Sequence, residues 1–524
     1  GGVLRDEDRE ALERQQIFLA PHGMEQFHLE IQNLYAALAQ PTEKLTVSYP
    51  VSDGKGAEKR PSFVIGRIAR LLPSISVETE STDKEYRLSV KSTALEYAGE
   101  HIGGALWQYF EGQGDAERAL AAMKDASRYT RGHLSRDAVR ALYGGAVTLS
   151  ASRMDMARSC HFAYFMRYGL KARERTGAGF DAPQIGTFVH DVMEHTLRQA
   201  KECGGLHTLS KDKLHALVRA SIEEYIDRVL PDLCEKSARF RYLFNRLCAA
   251  VERIMDEVSE ELQSSDFEPL AFELEFGADG QLPAITIREE NGTARVVGKV
   301  DRVDGWLHDG KLYLRVVDYK TGKKSFDLAE LRYGLGLQML LYLFTLKEEG
   351  QMLFGGHEIV PAGVLYTPAR EPMLRCARDT EPEKIEKALK KELRRSGMVL
   401  EDPAVLQAME HSALESPCYL PIAVKRDGAV MGSLASAEQL GKLSKYVDHI
   451  LHEITQEVFA GNIDADPYAR TPQQSACTYC EFASACHFEN GCGSDRMEYI
   501  KATKNDEFWQ YIDEVNGEGA HENG

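Results

Sequence analysis

At 524 residues the chain exceeds what one ordinary hydrophobic core holds, and it should divide into two or three domains. Its composition, 43% hydrophobic with 3 Trp, 20 Phe and 22 Tyr, is that of a globular protein, and no uncharged apolar run reaches the roughly 18 residues that a membrane span needs. A formal net charge of −18 excludes indiscriminate nucleic-acid binding, which is built on phosphate neutralisation, but leaves room for a local basic groove.

The chain opens GGVLRDEDRE, with no initiator Met and no signal peptide, and is expected to be a cut-out piece of something larger with added residues in front. An amphipathic helix is expected to end near Gln40-Pro41, and Lys44 to Tyr49 alternates like a buried strand. This order resembles the last motif of UvrD-type (superfamily 1) helicases, where a Thr-Arg pair ends the helix and Ser-Tyr ends the strand. In that family the arginine contacts the nucleotide γ-phosphate; here Ala39 and Gln40 stand at the two positions. A neutral amide cannot replace arginine's fixed charge and bidentate fork, so the resemblance implies a helicase-like fold without its ATPase arginine. A helix and strand of an unrelated α/β domain is the other reading.

Ser62 to Leu72 reads as a helix, charged sequence runs to about Lys91, and Ser92 to Leu142 is helical with glycine breaks. A boundary is expected near Gly144-Gly145, ahead of VTLSASRMDMARSCHFAYFMRYGL, a strand, a Ser cap and a short aromatic helix holding Cys160. Helices follow from about Gly186 and over Lys211 to Leu262, then strands over Glu268 to Phe276 and Ala284 to Ile287. After the stretch Val296 to Gly322 come a helix over Leu328 to Glu348, a strand over Ile359 to Tyr366, and helices over Glu381 to Leu393 and Ala435 to Gly461. The closing GEGAHENG is expected to be a disordered polar tail.

The stretch Val296 to Gly322 carries the chemistry. It reads as two strands joined at Asp309-Gly310, a strong short hairpin signal. If those two residues are the turn, His308 faces Lys311 and, counting outward, Asp301 faces Asp318. Lys320 shares a sheet face with Asp318 because side chains alternate. Opposed carboxylates repel unless something cationic neutralises them, and a divalent metal is the obvious candidate. Asp304 competes with Asp301, but an offset of three puts it on the other face. Gln338 and Tyr342 are spaced i,i+4 on the following helix, and His190 and Glu194 share a face upstream. Glu273 and Glu275 sit on a neighbouring strand within reach of a metal, although such half-buried glutamates usually face solvent.

Gly186 to His190, GKVD ending at Asp301, VVDYK ending at Lys320 and GLQMLLY from Gly336 to Tyr342 together resemble the RecB-family nucleases, of the PD-(D/E)XK restriction-like fold. The resemblance implies that His190, Asp301 and Asp318 hold Mg²⁺, with Mn²⁺ admitted by the histidine, and that Lys320 positions the attacking water or its charge. It implies that Gln338 and Tyr342 support the site and the DNA. Mg²⁺ favours hard oxygen ligands, and phosphodiester hydrolysis needs charge stabilisation and an activated water, so the chemistry agrees.

Of ten cysteines, three are spaced Cys477-x2-Cys480-x5-Cys486, a metal-ligand pattern lacking one partner, for which Cys160 is the choice. Spacing alone leaves an iron–sulfur cluster and structural Zn²⁺ both open. The one-plus-three arrangement resembles the iron–sulfur nuclease module of AddB (also RexB) subunits, which implies a [4Fe–4S] cluster. Cys492 and His487 are reserve ligands, and Cys203, Cys234, Cys248, Cys376 and Cys418 are expected to be core residues. Arg153, Arg158 and Arg167 could line a strand channel with Phe162, Tyr164 and Phe165, against the reading that these aromatics pack the core around the cluster. The basic run Lys387 to Arg395 reads as a solvated helix face.

The expected architecture is α/β: residues 1–145 a helicase-like remnant and helical linker, 146–500 a nuclease domain laced by four cysteines and carrying many added helices, and 501–524 a tail. The resemblance implies a bacterial, cytoplasmic DNA exonuclease subunit without ATPase activity. Its partner would be an AddA-type helicase–nuclease chain in a heterodimer, and its task the processing of double-strand breaks for recombinational repair by cutting the 5′-terminated strand. A stand-alone exonuclease of the CRISPR-associated iron–sulfur type and a non-catalytic DNA-binding scaffold are the rivals. The helicase-like opening argues against the first, the opposed carboxylates against the second.

Overall fold

The computed structural model describes residues 6–17, 19, 23–52, 58–75, 87–128, 130–173, 182–231, 237–277, 280–372, 374, 376–377, 380–471 and 473–522. They form two compact units, Gly1–Glu117 and Arg118–Gly524. Among the described residues no helix is long and apolar enough to cross a membrane.

In the first unit the helices include α1 (Gly23–Ala39) and α2 (Phe63–Leu71). Ser62 caps α2, its hydroxyl accepting the Val64 N–H. Neither helix buries a residue, and Met24, Phe27, Tyr35 and Phe63 lie on the surface. The strand expected over Lys44 to Tyr49 is not formed. A strand needs a neighbour for its N–H and C=O groups, and among the described residues of this unit only an isolated bridge, Ser52 to Glu58, occurs.

In the second unit a helix over Arg136–Tyr143 ends at Gly144, whose φ of 73° is the left-handed stop a glycine permits. Strand β1 (Ala146–Leu149) and helix α3 (Ala151–Ser159) follow, and Cys160 is the hinge into α4 (His161–Tyr164). Long helices α5 (Ala182–Glu202), α6 (Lys211–Val229) and α7 (Ala238–Gln263) precede the strands β2 (Glu268–Phe276), β3 (Ile285–Glu289), β4 (Gly292–Val296), β5 (Gly298–His308) and β6 (Lys311–Lys320). Then come α8 (Leu328–Arg332), α9 (Gln338–Glu349), β7 (Glu358–Pro368), β8 (Ser396–Leu400), a β9–β10 hairpin (Ile422–Val424, Val430–Gly432), β11 (Leu434–Ala435) and α10 (Ala437–Ala460).

The main sheet has six strands in the order β11-β8-β7-β6-β5-β2, with β6 and β7 parallel and the β2–β5–β6 portion antiparallel. A smaller sheet, β1-β4-β3, carries α3 at its end. The β5–β6 turn is as expected: Asp309 and Gly310 have φ of 50° and 78°, and the pairs run from His308 opposite Lys311 out to Arg302 opposite Val317. The next facing pair is therefore Asp301 and Asp318. Val303, Leu314, Val316 and Val317 are fully buried, each apolar side chain contributing about 1.5–3 kcal/mol.

Two further expectations need correction. The helix over Leu328 to Glu348 is broken into α8 and α9, because Gly334 and Gly336 adopt φ of 74° and 68° and interrupt the ladder. The chain end is a helix, α11 (Asn505–Glu522), held down by buried Phe508, Trp509 and Ile512; the expected disordered tail is helical to Glu522, and residues 523–524 lie outside the described ones.

Candidate active site

Three adjacent strands of the main sheet put a carboxylate at the same level. Glu273 on β2 lies between the pairs Phe272–Arg302 and Leu274–Val300, hence opposite Asp301 on β5, which in turn faces Asp318 on β6. Glu273 has φ of 49°, a strained conformation for a residue with a side chain, and sits half-buried while its neighbour Glu275 is exposed. From α5, His190 reaches the row: Nδ1 lies 3.3 Å from Asp301 Oδ2, and Nε2 is 2.8 Å from the Tyr319 carbonyl oxygen. Among the described residues the ligand atoms of His190, Glu273 and Asp301 form a group lying within 4.8 Å of one another. Asp318 stands beside it, its Oδ2 taken by Lys320 Nζ at 2.6 Å.

Of the metal-ligand set expected from sequence, then, His190 and Asp301 meet directly and Asp318 is engaged by Lys320. Glu273, left facing solvent in the usual reading of strand glutamates, joins them and also pairs with Lys299. Burial, then repulsion from Asp301, raises the Asp318 carboxyl to about 6 against the pull of Lys320. Burial opposes a charged His190, but hydrogen bonding to Asp301 and the carboxylates around it win and raise its pKa. A hard divalent cation fits this donor set of an imidazole and oxygen ligands, and it would relieve the repulsion that Asp318 registers.

Gln338 and Tyr342 on α9 are joined, the amide Nε2 donating to the phenol oxygen at 3.3 Å. With Lys299, Ser150 and Ser152 they line an open groove of about 610 Å³. Gly298 makes this possible, since a Cβ there would come within 2.5 Å of the Tyr342 ring and 2.6 Å of Phe276.

The other sheet face holds a buried ion network that sequence reasoning missed. Asp304, the rejected competitor of Asp301, is fully buried there: it pairs with Arg302 at 2.8 Å and with Arg315 at 2.9 Å. Glu261 from α7 meets Arg395 at 2.6 Å and Arg315 at 3.4 Å. Burial works against the Glu261 carboxylate, yet Arg395, Arg315 and Arg302 hold it down to about 2. Arg395 is thus no part of a solvated helix face. The alternation of Arg302, Asp304 and Arg315 within apolar strands was the available signal.

Cys160, Cys477, Cys480 and Cys486 line one cavity of about 660 Å³, together with apolar side chains such as Met156, Phe162 and Phe482. Burial pushes the Cys160 thiol up to about 12. His487 lines the cavity as well, whereas Cys492 is exposed. Arg131 closes the module: it bonds the Cys486 carbonyl at 2.8 Å and Asp495 at 2.8 Å, and its guanidinium lies 4.5 Å from the centre of the Phe162 ring. His161 pairs with Asp466 at 2.6 Å. Of the cysteines expected in the core, Cys248 is half-buried and packs against it, Cys418 is half-buried, Cys203 and Cys376 are exposed, and Cys234 lies outside the described residues.

The arginines near Cys160 are already occupied. Arg158 is held by Glu453 and Glu457, Arg167 by Glu481 at 2.6 Å, and Arg153 bonds the Thr148 carbonyl at 2.5 Å and stacks on Tyr168. Tyr164 is buried in the core, whereas Phe162 and Phe165 are half-buried and Phe162 lines the cysteine cavity.

A family model described as PD-(D/E)XK nuclease superfamily matches residues 148–487. The chain is 30% identical over 98% of its length to a protein of Ruminiclostridium cellulolyticum named as one subunit of an ATP-dependent helicase/deoxyribonuclease, covering 47% of that protein. It is 31% identical to the protein of the same name in Acetivibrio thermocellus, covering 46% of it, and 29% identical to one in Clostridium botulinum, covering 47%. The chain thus spans about half the length of the curated relatives it matches.

Proposed function

The chain belongs to the PD-(D/E)XK nuclease superfamily, and from that premise we propose that it is the deoxyribonuclease part of a helicase–nuclease subunit, cutting phosphodiester bonds of DNA with a divalent metal, Mg²⁺ or Mn²⁺. The observation that carries the reading is the meeting of His190, Glu273 and Asp301 beside the Asp318–Lys320 pair. His190, Glu273, Asp301 and Asp318 are the groups that would hold the cation, which supplies Lewis acidity toward a phosphoryl oxygen and offsets the carboxylate charge.

The rest falls to the chain itself. The Tyr319 carbonyl accepts the Nε2 proton of His190, which leaves Nδ1, a donor to Asp301 when no cation is bound, as the atom that would ligate one. Lys320, beside Asp318, is the cation that orients the attacking water or offsets the charge that gathers on the phosphoryl oxygens. Gln338 and Tyr342 hold the wall of the groove along which a strand would reach the site. In a Mg²⁺-dependent assay on end-labelled DNA, Asp318→Ala should reduce cleavage at least about a hundredfold while leaving DNA binding in place. Cleavage by that variant at the parental rate would end the reading.

The cysteine cavity is proposed to hold a [4Fe–4S] cluster through Cys160, Cys477, Cys480 and Cys486, its size and apolar lining suiting a buried group. Such a cluster would tie residues from the two ends of the second unit together. Purified protein should then be brown, absorb near 400 nm, and contain iron and sulfide that Cys480→Ser removes, with a lowered melting temperature. Colourless protein with stoichiometric zinc would replace the cluster by a structural Zn²⁺ site.

The relatives are named as parts of a larger enzyme, which supports a partner carrying the ATP-driven helicase motor, an AddA-type chain in a heterodimer. On this reading the complex processes double-strand breaks for repair, and this chain cuts the 5′-terminated strand as it emerges. Residues 1–145 would be the end of a helicase-like domain that lacks its ATPase arginine, with Gln40 in its place.

A further inference from the structure

We propose that an apolar groove between α5 and α7 is a base-stacking subsite for the single strand at the candidate active site, with the arginines of α7 following its phosphates. The proposal rests on the nuclease reading and extends it to a surface no sequence motif marks. The groove has a volume of about 360 Å³, within the range of pockets that take small organic groups, and is walled by Ile185 and Val189 of α5 and by Phe240, Leu243 and Leu247 of α7.

Three observations select a nucleic-acid strand as the occupant. The first is continuity with the site. Val189 directly precedes His190, and Thr321 of the groove directly follows Lys320. Ala369, also in the groove wall, donates its N–H to the Lys320 carbonyl at 2.9 Å. A strand with its phosphate at the carboxylate row would carry a neighbouring base past this wall.

The second is the lining. Phe240 and Phe244 lie parallel, 6° between planes and 6.4 Å between centres, and Phe240 is only half-buried. Phe244 is buried in the core beneath, whereas Leu243 in the groove wall is 51% exposed, which core packing would not leave. Aromatic and aliphatic faces accept any base, since every base has a π-face, so this wall would take a strand of any sequence.

The third is charge. Over Ala238–Val251, α7 carries Arg239, Arg241 and Arg246 and no carboxylate, in a chain whose net charge is −18. All three are exposed. On the opposite rim Arg370 is paired with Glu392 at 3.4 Å, and Glu371 beside it draws Arg253 at 2.6 Å and reaches Arg246 only at 3.7 Å, so the α7 arginines carry the argument. Arginines flanking a stacking surface are the usual pairing for single-strand binding.

The test uses the whole chain and a single-stranded oligothymidylate, with Ca²⁺ in place of Mg²⁺ to suppress cleavage. Phe240→Ala and Leu243→Ser should each weaken binding roughly tenfold, and 5-iodouracil in the strand should cross-link to the α7 peptide. Leu243 is exposed, so its variant tests the groove even if Phe240→Ala fails to fold. Unchanged affinity in Leu243→Ser, or cross-links confined to other elements, would overturn the subsite and leave the groove to a protein partner. Cleavage is followed separately in Asp318→Ala: if that variant cuts normally, the nuclease reading falls, whereas the groove is judged by affinity and cross-linking alone.

Discussion

Tyr319 uses three of its polar groups at once. Its N–H donates to Asp301 Oδ2 at 2.9 Å, its carbonyl receives His190 Nε2 at 2.8 Å, and its hydroxyl receives Arg302 Nη1 at 2.6 Å. The residue between Asp318 and Lys320 therefore fastens the metal-ligand candidates on one sheet face to the buried ion network on the other. Tyr319→Phe keeps the ring but leaves a buried guanidinium N–H without its acceptor, which should cost about 1–3 kcal/mol in urea unfolding. Glu261 gives the network a pH signature. Its folded pKa of about 2 lies below the ordinary 4.5, so its stabilising contribution is complete above pH 4.5 and is lost as pH falls toward 2. Melting temperatures measured across that interval should fall, and Glu261→Gln should flatten the fall. At this scale the sequence was read well where alternation decides: the offset of three that sets Asp304 against Asp301 is arithmetic. Glu273 was only half legible: its strand puts it within reach of the row, but no pattern announces the positive φ that it adopts there.

Among the elements, the β5–β6 hairpin was legible because a two-residue Asp-Gly turn fixes register, and register fixes who faces whom. The split between α8 and α9 was harder, since glycines inside a helical pattern are usually tolerated and here two adopt left-handed angles. That break has a use. It leaves the Gly336 N–H free to donate to Asp155 of α3 at 2.9 Å, just ahead of Gln338. Burial raises the Asp155 pKa, against that hydrogen bond and nearby lysines. Helix α3 is a shared wall, because Ser152 lines both the cysteine cavity and the groove at Tyr342. Asp155→Ala should cost about 1–3 kcal/mol by thermal unfolding, from the unsatisfied N–H, and should lower DNA cleavage by letting the start of α9 drift. The missing strand at Lys44 to Tyr49 makes the complementary point: alternation describes a strand's faces, but only a neighbour creates the strand.

Across the whole molecule, the second unit is held at its extremes. Its beginning supplies Arg131, Cys160 and His161; its end supplies Asp466, Cys477, Cys480, Cys486 and Asp495. The cysteine spacing made the end of this arrangement readable, whereas nothing local marks Cys160 as its companion, since proximity between distant segments leaves no local trace. The exposed helices of the first unit and the arginine-bearing face of α7 were not singled out, because exposure is a property of the folded surface rather than of any short pattern.

The late position of those partners orders the events of folding. A ribosome finishes the carboxylates, Lys320 and Tyr342 well before it reaches Asp466 or Asp495, so a nascent chain carries every acidic group of the site while Arg131 and His161 still lack their counterparts. Arg131 and His161 gain these partners only across 364 and 305 residues of chain, so this lobe closes after the strands that carry the carboxylates have been made.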